Sequence, residues 1–217
     1  VGGSTRDKLF SVGIFTIGDL AAASDELIKR LLGKPGDYLL KAVRGLDCEP
    51  VRRYGDKPAP KSIGRSVTLP EDVSDALRVR GIFAELADDI SSKLRREEML
   101  AGAVQIQIKD NTFKTSQYQK KLANPTRIAD SLLAAATELL LANDALRVPA
   151  RLVGMTACDL TDENEGFQLS FDFDRAHAET MEQLGSRVDG LRDKYGKQII
   201  RRASQLNNAH TEPKDKK

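Results

Sequence analysis

Two cysteines, Cys48 and Cys158, and two histidines, His177 and His210, are all that the sequence has of either type, and none has a partner at ligand spacing. That scarcity excludes a disulfide framework and a zinc cluster, and it fits a reducing, cytoplasmic setting. No apolar run approaches the roughly 20 residues of a membrane span, so no membrane association is expected. The opening residues have no signal-peptide pattern. They also lack a Met and begin in the middle of a motif, which points to a piece of a longer protein. Paired carboxylates at a strand end are missing, and so is any nucleophile with a base, since both histidines fall in the C-terminal tail. Asp88 with Asp89 and Glu97 with Glu98 fall on the solvent side of a helix. These residues alone promise no reaction and no bound cofactor.

What is present suffices for two small domains. The chain has 217 residues, 40% of them apolar, and a net charge of +2, so affinity for a polyanion must come from local arrangement rather than overall attraction. Residues 1–46 read as four short helices over 5–12, 17–23, 25–32 and 35–43, with Ser24 as an N-cap and Gly13, Gly33 and Gly45 as stops. Each is too short to stand alone. A shared core is expected from Leu9, Phe10, Ile14, Phe15, Leu20, Leu27, Leu31, Leu39, Leu40 and Val43. Residues 47–60 are rich in charge and proline without periodicity, as in a linker. A loop packed on one domain is the alternative.

Residues 61–160 run strand, helix, strand, strand, helix, strand. Val104, Ile106 and Ile108 alternate with Gln105, Gln107 and Lys109, the period of a half-buried strand. Asp110 and Asn111 then turn the chain into a second extended run over 113–121. A strand over 62–69 precedes a helix over 74–96, whose stripe is Leu77, Phe83, Leu86, Ala87, Ile90 and Leu94. Thr126 caps or opens a second helix, and residues 149–160 return as a strand with Val153, Met155 and Ala157 inward. Arg151 shares their parity, so its face stays open unless Gly154 marks a bulge. The class is α+β: a small all-α unit joined by a linker to a β-α-β-β-α-β sandwich, a four-stranded antiparallel sheet with two helices on one face. Its other face is left open, with Ser62, Ser66, Gln105, Gln107, Lys109 and alternate residues of the run 113–121. Residues 161–217 hold a helix over 175–195 with Met181, Leu184, Val188 and Leu191 on one side, and a tail expected to be disordered from Asn207.

Three constellations suit binding. Gly2, Gly3, Thr5 and Lys8 form a glycine turn that runs into a helix, whose unpaired N–H groups grip a phosphate without reading a base. Gly33, Lys34 and Gly36 repeat the logic, and two such starts are what a helix-hairpin-helix DNA clasp requires. Lys61, Ser62, Ile63, Gly64, Arg65 and Ser66 combine charge, hydroxyls and small residues. Lys109, Lys114 and Lys120 on neighbouring strands strengthen that reading, and Phe113 is a candidate stacking or wedge residue with the core as its alternative. Finally, Gln168, Leu169, Ser170, Phe171 and Phe173 offer alternating apolar anchors in a polar setting, either for a partner pocket or as a fifth strand.

These residues resemble a known family. Gly2 to Leu9 with Val12, Gly13, Ile14, Thr16, Ile17, Gly18, Asp19 and Leu20, and then Lys61 through Arg65, look like the thumb and the start of the little finger of Y-family translesion DNA polymerases of the DNA polymerase IV type. Pro70, Glu71 and Asp72, Phe113, Lys114 and Thr115, and Arg151 through Gly154 match the same pattern. The resemblance covers about residues 1–175 and implies contact with primer-template DNA. Gly2, Gly3, Thr5 and Lys8 would meet the primer strand. Ser62 to Ser66 and Lys109 to Thr115 would meet the duplex. The segment 168–173 resembles the peptide by which bacterial replication proteins bind the sliding clamp, with Phe171 where Leu is usual. In that family palm carboxylates hold two magnesium ions that align the primer end with a deoxynucleotide. Those carboxylates would precede residue 1, leaving a catalytically incomplete monomer. A free-standing DNA-binding and clamp-interacting adaptor is the competing reading.

Overall fold

The computed structural model describes residues 1–51, 53, 59–164, 170 and 174–203. The chain divides into two compact units, Val1–Pro58 and Ala59–Lys217.

The first unit is four helices, α1 (Gly3–Phe10), α2 (Ile17–Ala22), α3 (Asp25–Leu32) and α4 (Lys34–Val43). Local chemistry fixes each start. Thr16 and Asp19 form a reciprocal capping box on α2, with the Asp19 carboxylate accepting the Thr16 N–H at 2.9 Å and the Phe15 N–H at 3.1 Å. Those backbone donors, Thr16 first, hold the Asp19 carboxyl below its ordinary pKa. Ser24 caps α3 by accepting from the Leu27 N–H at 3.3 Å, as the sequence predicts. Arg44 fastens the end of α4, with Nη1 on Asp25 at 2.7 Å and Nη2 on the Ala23 carbonyl at 2.8 Å.

The core of this unit is Leu9, Ile14, Leu20, Ile28 and Leu40, with Leu27, Leu31, Leu39 and Val43 packed against it. Two expected core residues are not there. Phe10 and Phe15 face solvent and stack on each other with ring centroids 5.2 Å apart. Ile28, which is not among the expected core residues, is fully buried in that core.

The second unit contains β1 (Ile63–Val73), α5 (Ala76–Arg96), β2 (Met99–Asp110), β3 (Thr115–Thr126), α6 (Ala129–Ala142), β4 (Ala150–Asp162) and α7 (Arg175–Tyr195). The sheet is antiparallel throughout, in the order β1-β4-β2-β3. Val104, Ile106, Ile108, Val153, Met155 and Ala157 all point into one core with α5 and α6, so the alternation seen in the sequence is the buried face. The α+β sandwich with both crossover helices on one side is therefore the observed fold.

Several boundaries differ from expectation for local reasons. β1 continues past Leu69 through Pro70 to Val73, because an edge strand tolerates a proline that donates nothing to the ladder. Helix α5 begins after Asp75, whose carboxylate accepts the Leu77 N–H at 2.9 Å. Leu77 therefore sits in the first turn, 76% exposed, and Val79 takes the core position. Thr126 ends β3 rather than opening α6, and its hydroxyl accepts the Ile128 N–H at 3.1 Å. The bulge lies at Arg151, not Gly154: Lys109 pairs with Leu152 and Asp110 with Ala150, leaving Arg151 as the extra residue. Gly154 keeps the regular ladder, where a Cβ would stand 3.2 Å from Ser66 Cβ and 3.4 Å from Gln107 Cβ.

Helix α7 lies on α5. Arg95 bonds Asp189 at 2.7 Å with both side chains only 15% exposed, and Arg192 and Arg202 both reach Asp88, at 3.3 and 2.9 Å. Arg127 pairs with Glu163 and with Glu182. Among the described residues no helix is long and apolar enough to cross a membrane.

Candidate nucleic-acid interface

The strand register turns the open face into rows that run across the sheet. Thr68, Leu152, Lys109 and Thr115 form one; Ser66, Gly154, Gln107 and Gln117 the next; Gly64, Thr156, Gln105 and Gln119 the third. Cys158, Ala103 and Lys121 continue the pattern. Besides Leu152, Ala103, Cys158 and two glycines, these positions hold hydroxyls, amides and ammonium groups, and no carboxylate. A polyanion laid across them meets donors and no like charge.

The nearest acids are occupied. Asp110 turns its carboxylate into the β2–β3 connection, where Oδ1 accepts from Thr112 Oγ1 at 2.7 Å, from the Thr112 N–H at 2.9 Å and from the Lys114 N–H at 2.9 Å. The Thr112 hydroxyl, followed by these N–H groups and the Lys114 charge, holds the Asp110 carboxyl below its ordinary range. Asp72 faces Arg151 at 3.7 Å.

That connection displays Phe113. Its φ is +67°, in the left-handed region that disfavours side chains by roughly 1 kcal/mol, and its ring is 63% exposed. Lys109 Nζ lies 5.0 Å and the Arg151 guanidinium 5.5 Å from the ring centroid, within cation–π range. An aromatic forced outward and flanked by two cations is not a core residue, so of the two sequence readings the exposed one holds. The bulge places Arg151 beside the Lys109 end of the face.

The other predicted positions divide. Lys61 and Ser62 are exposed just ahead of β1, and Gly64 and Ser66 lie on the open face. Ile63 is 2% exposed and belongs to the core, so its side chain reaches no ligand. Arg65 is exposed but has the opposite parity, in the row of Met155, Ile106 and Tyr118 on the helix side. Lys114 and Thr115 follow Phe113, with Thr115 opposite Lys109. Lys120 also proves to be on the helix side, paired with Glu138 of α6. Lys121 takes the open-face place that the all-polar β3 could not assign by pattern.

In the first unit, Gly2 is the N-cap and Gly3 the first residue of α1, with no side chain capping the end and no acid in the first turn. Thr5 and Lys8 line a cavity of about 370 Å³ with Val1, Leu32, Pro35 and Leu39. The second glycine turn is built differently. The Gly33 N–H is taken by the Lys29 carbonyl at 2.9 Å and the Gly36 N–H by the Gly33 carbonyl at 2.9 Å; Pro35 has no N–H, and Asp37 brings an acid into the turn. Gly36 is a packing residue, since a Cβ there would stand 2.9 Å from both Ile28 Cγ2 and the Ile28 carbonyl. Lys34 is exposed, as is Gly33, whose N–H is already taken.

Ser170 is held on β3: its N–H donates to Asn124 Oδ1 at 2.7 Å, and Asn124 Nδ2 donates to its hydroxyl at 2.8 Å. Gln168, Leu169, Phe171 and Phe173 lie outside the described residues, as do Lys57 and the tail from 204.

The second unit is thus a two-helix, four-strand sandwich of the little-finger kind seen in Y-family DNA polymerases. The chain belongs to the impB/mucB/samB family, whose C-terminal domain matches residues 60–171. It is 34% identical over 221 residues to DNA polymerase IV 1 of Bacillus subtilis, covering 99% of this chain and 51% of that protein. It is 33% identical over 202 residues to DNA polymerase IV of Acetivibrio thermocellus (93% and 51%) and 37% identical over 206 residues to that of Oceanobacillus iheyensis (92% and 47%). It therefore spans about half the length of the curated relatives it matches. A solved Y-family DNA polymerase chimera shares the fold with a TM-score of 0.61 at 19% identity, over 75% of this chain and 46% of that one.

Proposed function

We propose that this chain is the DNA-holding half of an error-prone translesion DNA polymerase, gripping primer-template duplex without reading sequence and recruiting the bacterial sliding clamp. The carboxylate-free face of the sheet carries the reading. Lys109, Lys121, Arg151 and Lys114 supply charge, while Ser66, Gln105, Gln107 and Thr115 supply donors to phosphate oxygens. In the first unit the uncapped start of α1, with Gly3, Thr5 and Lys8, takes a backbone phosphate of the primer strand. Residues 168–173 are the clamp-binding peptide. Magnesium and deoxynucleotides belong to the palm of the parent polymerase, so this chain by itself incorporates no nucleotide, and it acts as a cytoplasmic monomer.

Fluorescence anisotropy on a labelled primed duplex, repeated over a salt series, tests the proposal. Binding should weaken steeply with salt and be the same for unrelated sequences. Sequence-selective binding, or binding indifferent to salt, overturns it. Primer extension by this chain with magnesium and nucleotides overturns its catalytic incompleteness, and clamp binding that survives deletion of 168–173 overturns the peptide assignment.

A further inference from the structure

Two departures from regular backbone meet at one end of the sheet front. The β2–β3 connection holds Phe113 at φ +67°, and the β4 bulge takes Arg151 out of the ladder. The two are laced together, since the Asn111 N–H donates to the Pro149 carbonyl at 3.2 Å. The turn is also closed on itself: the Phe113 N–H donates to the Asp110 carbonyl and the Asp110 N–H to the Lys114 carbonyl, both at 3.0 Å. A left-handed position of this kind costs least with glycine or asparagine. A phenylalanine there, 63% exposed, gains little burial to offset the strain.

What the ring gains instead is a pair of cations from two other places in the fold. Lys109 Nζ on β2 and the Arg151 guanidinium on β4 both lie within 5.5 Å of its centroid. Among the described residues Lys109 has no ion-pair partner, while Arg151 has Asp72 at 3.7 Å, so the cluster keeps a positive charge. Two long cationic side chains left to themselves repel each other and sample many rotamers. A carboxylate between them would gather them and cancel the charge that a phosphate needs. The negative face of an aromatic ring gathers them and leaves that charge in place. We propose that Phe113 is a positioning residue for DNA, whose ring holds Lys109 and Arg151 together as a two-cation claw for the phosphate backbone and touches no base itself. This rests on the reading of the sheet front as the surface that holds duplex.

The test is the anisotropy of a labelled blunt duplex, and of the same duplex with a single-stranded overhang, titrated with the full chain over a salt series. Wild type is compared with F113L, F113Y, and F113L in a K109A/R151A background. Leucine makes the same backbone demand as phenylalanine and keeps an apolar side chain without the ring's quadrupole. Phe113→Leu should weaken binding to both DNAs alike, roughly three- to tenfold, at unchanged salt slope, because both cations remain but must be ordered on binding. Phe113→Tyr should stay within about twofold of wild type. In the K109A/R151A background the leucine should cause no further loss, since the ring acts through those two side chains. In the free wild type the Lys109 side-chain methylene protons should be shifted upfield by the ring, and in F113L that shift should vanish. Its absence from the wild type overturns the claw, as does wild-type affinity of F113L or an equal further loss in the K109A/R151A background. A loss confined to the overhang DNA makes the ring a platform for an unpaired base and likewise overturns it. Wild-type binding to duplex that is absent or indifferent to salt overturns the holding surface and the claw together.

Discussion

Removing Arg151 should do more damage to DNA binding than removing Lys109, although both cations flank the same ring. Each contributes one counterion released on binding, so each alanine variant should flatten the slope of log K against log salt by about 0.9. Between about 50 and about 200 mM salt that alone narrows the gap to wild type roughly 3.5-fold. Arg151 has a second duty, because Asp72 stands 3.7 Å from its guanidinium and is 35% exposed. Without Arg151 that carboxylate faces the phosphates uncompensated. A phosphate seated beyond the guanidinium is ~7–8 Å from Asp72, where a dielectric of about 40–80 gives a repulsion of roughly 0.5–1 kcal/mol, or two- to fivefold in affinity. Arg151→Ala should therefore be two- to fivefold weaker than Lys109→Ala at equal salt slope, and Asp72→Asn should recover that difference in the R151A background only. Anisotropy titrations of the four variants over a salt series measure both quantities. An unchanged slope in R151A, or equal affinities of R151A with and without D72N, would refute the assignment of this end of the sheet to phosphate contact.

Other consequences follow from packing. Gly36→Ala places a methyl against Ile28 and should lower the stability of the first unit by about 1–3 kcal/mol despite the better helix propensity, seen as an earlier urea transition of that unit. Asp189→Ala strands Arg95 in a site where it is 15% exposed; a loss of roughly 2–4 kcal/mol should appear as faster hydrogen exchange along α7 while β2 and β4 keep their protection. The depressed carboxyl of Asp110 stabilises its turn above the unfolded-state pKa and ceases to do so as pH falls through the folded value. Amide protection at Thr112 and Lys114 should therefore persist through mildly acidic pH and vanish only below the ordinary carboxylate range, whereas Asp110→Asn should show no such step.

The sandwich was legible because β2 announces its own faces. Val104, Ile106 and Ile108 are separated by amides, and only one face of such a strand can be buried. Ser24 and Gly33 likewise advertise the ends of α3. β3 has no such pattern, since nearly every residue is polar, and its parity is fixed by the length of the turn after Asp110 rather than by its own residues. That is why Lys120, expected on the open face, lies on the helix side. Arg65 was misplaced for a related reason: its charge drew attention, but its parity is that of buried Ile63. Ile28 and Val79 were missed because neighbouring leucines fit the same helical stripes, and only tertiary contact decides between them. The seat of α7 on α5 depends on Arg95 meeting Asp189 and Asp88 meeting Arg192, 94 and 104 residues apart in sequence, pairings no local window contains.

Almost neutral as a whole, the chain is far from neutral in its distribution. The rows of its sheet front hold no acid, while Asp88, Asp89, Asp130, Glu138 and Asp189 lie with the helices behind, each paired with a cation. The charge on the helix side is thus compensated locally, and the charge that remains to attract a rod of negative charge is that of the sheet front. Cation-exchange resin should therefore retain it by that front and release it as salt rises.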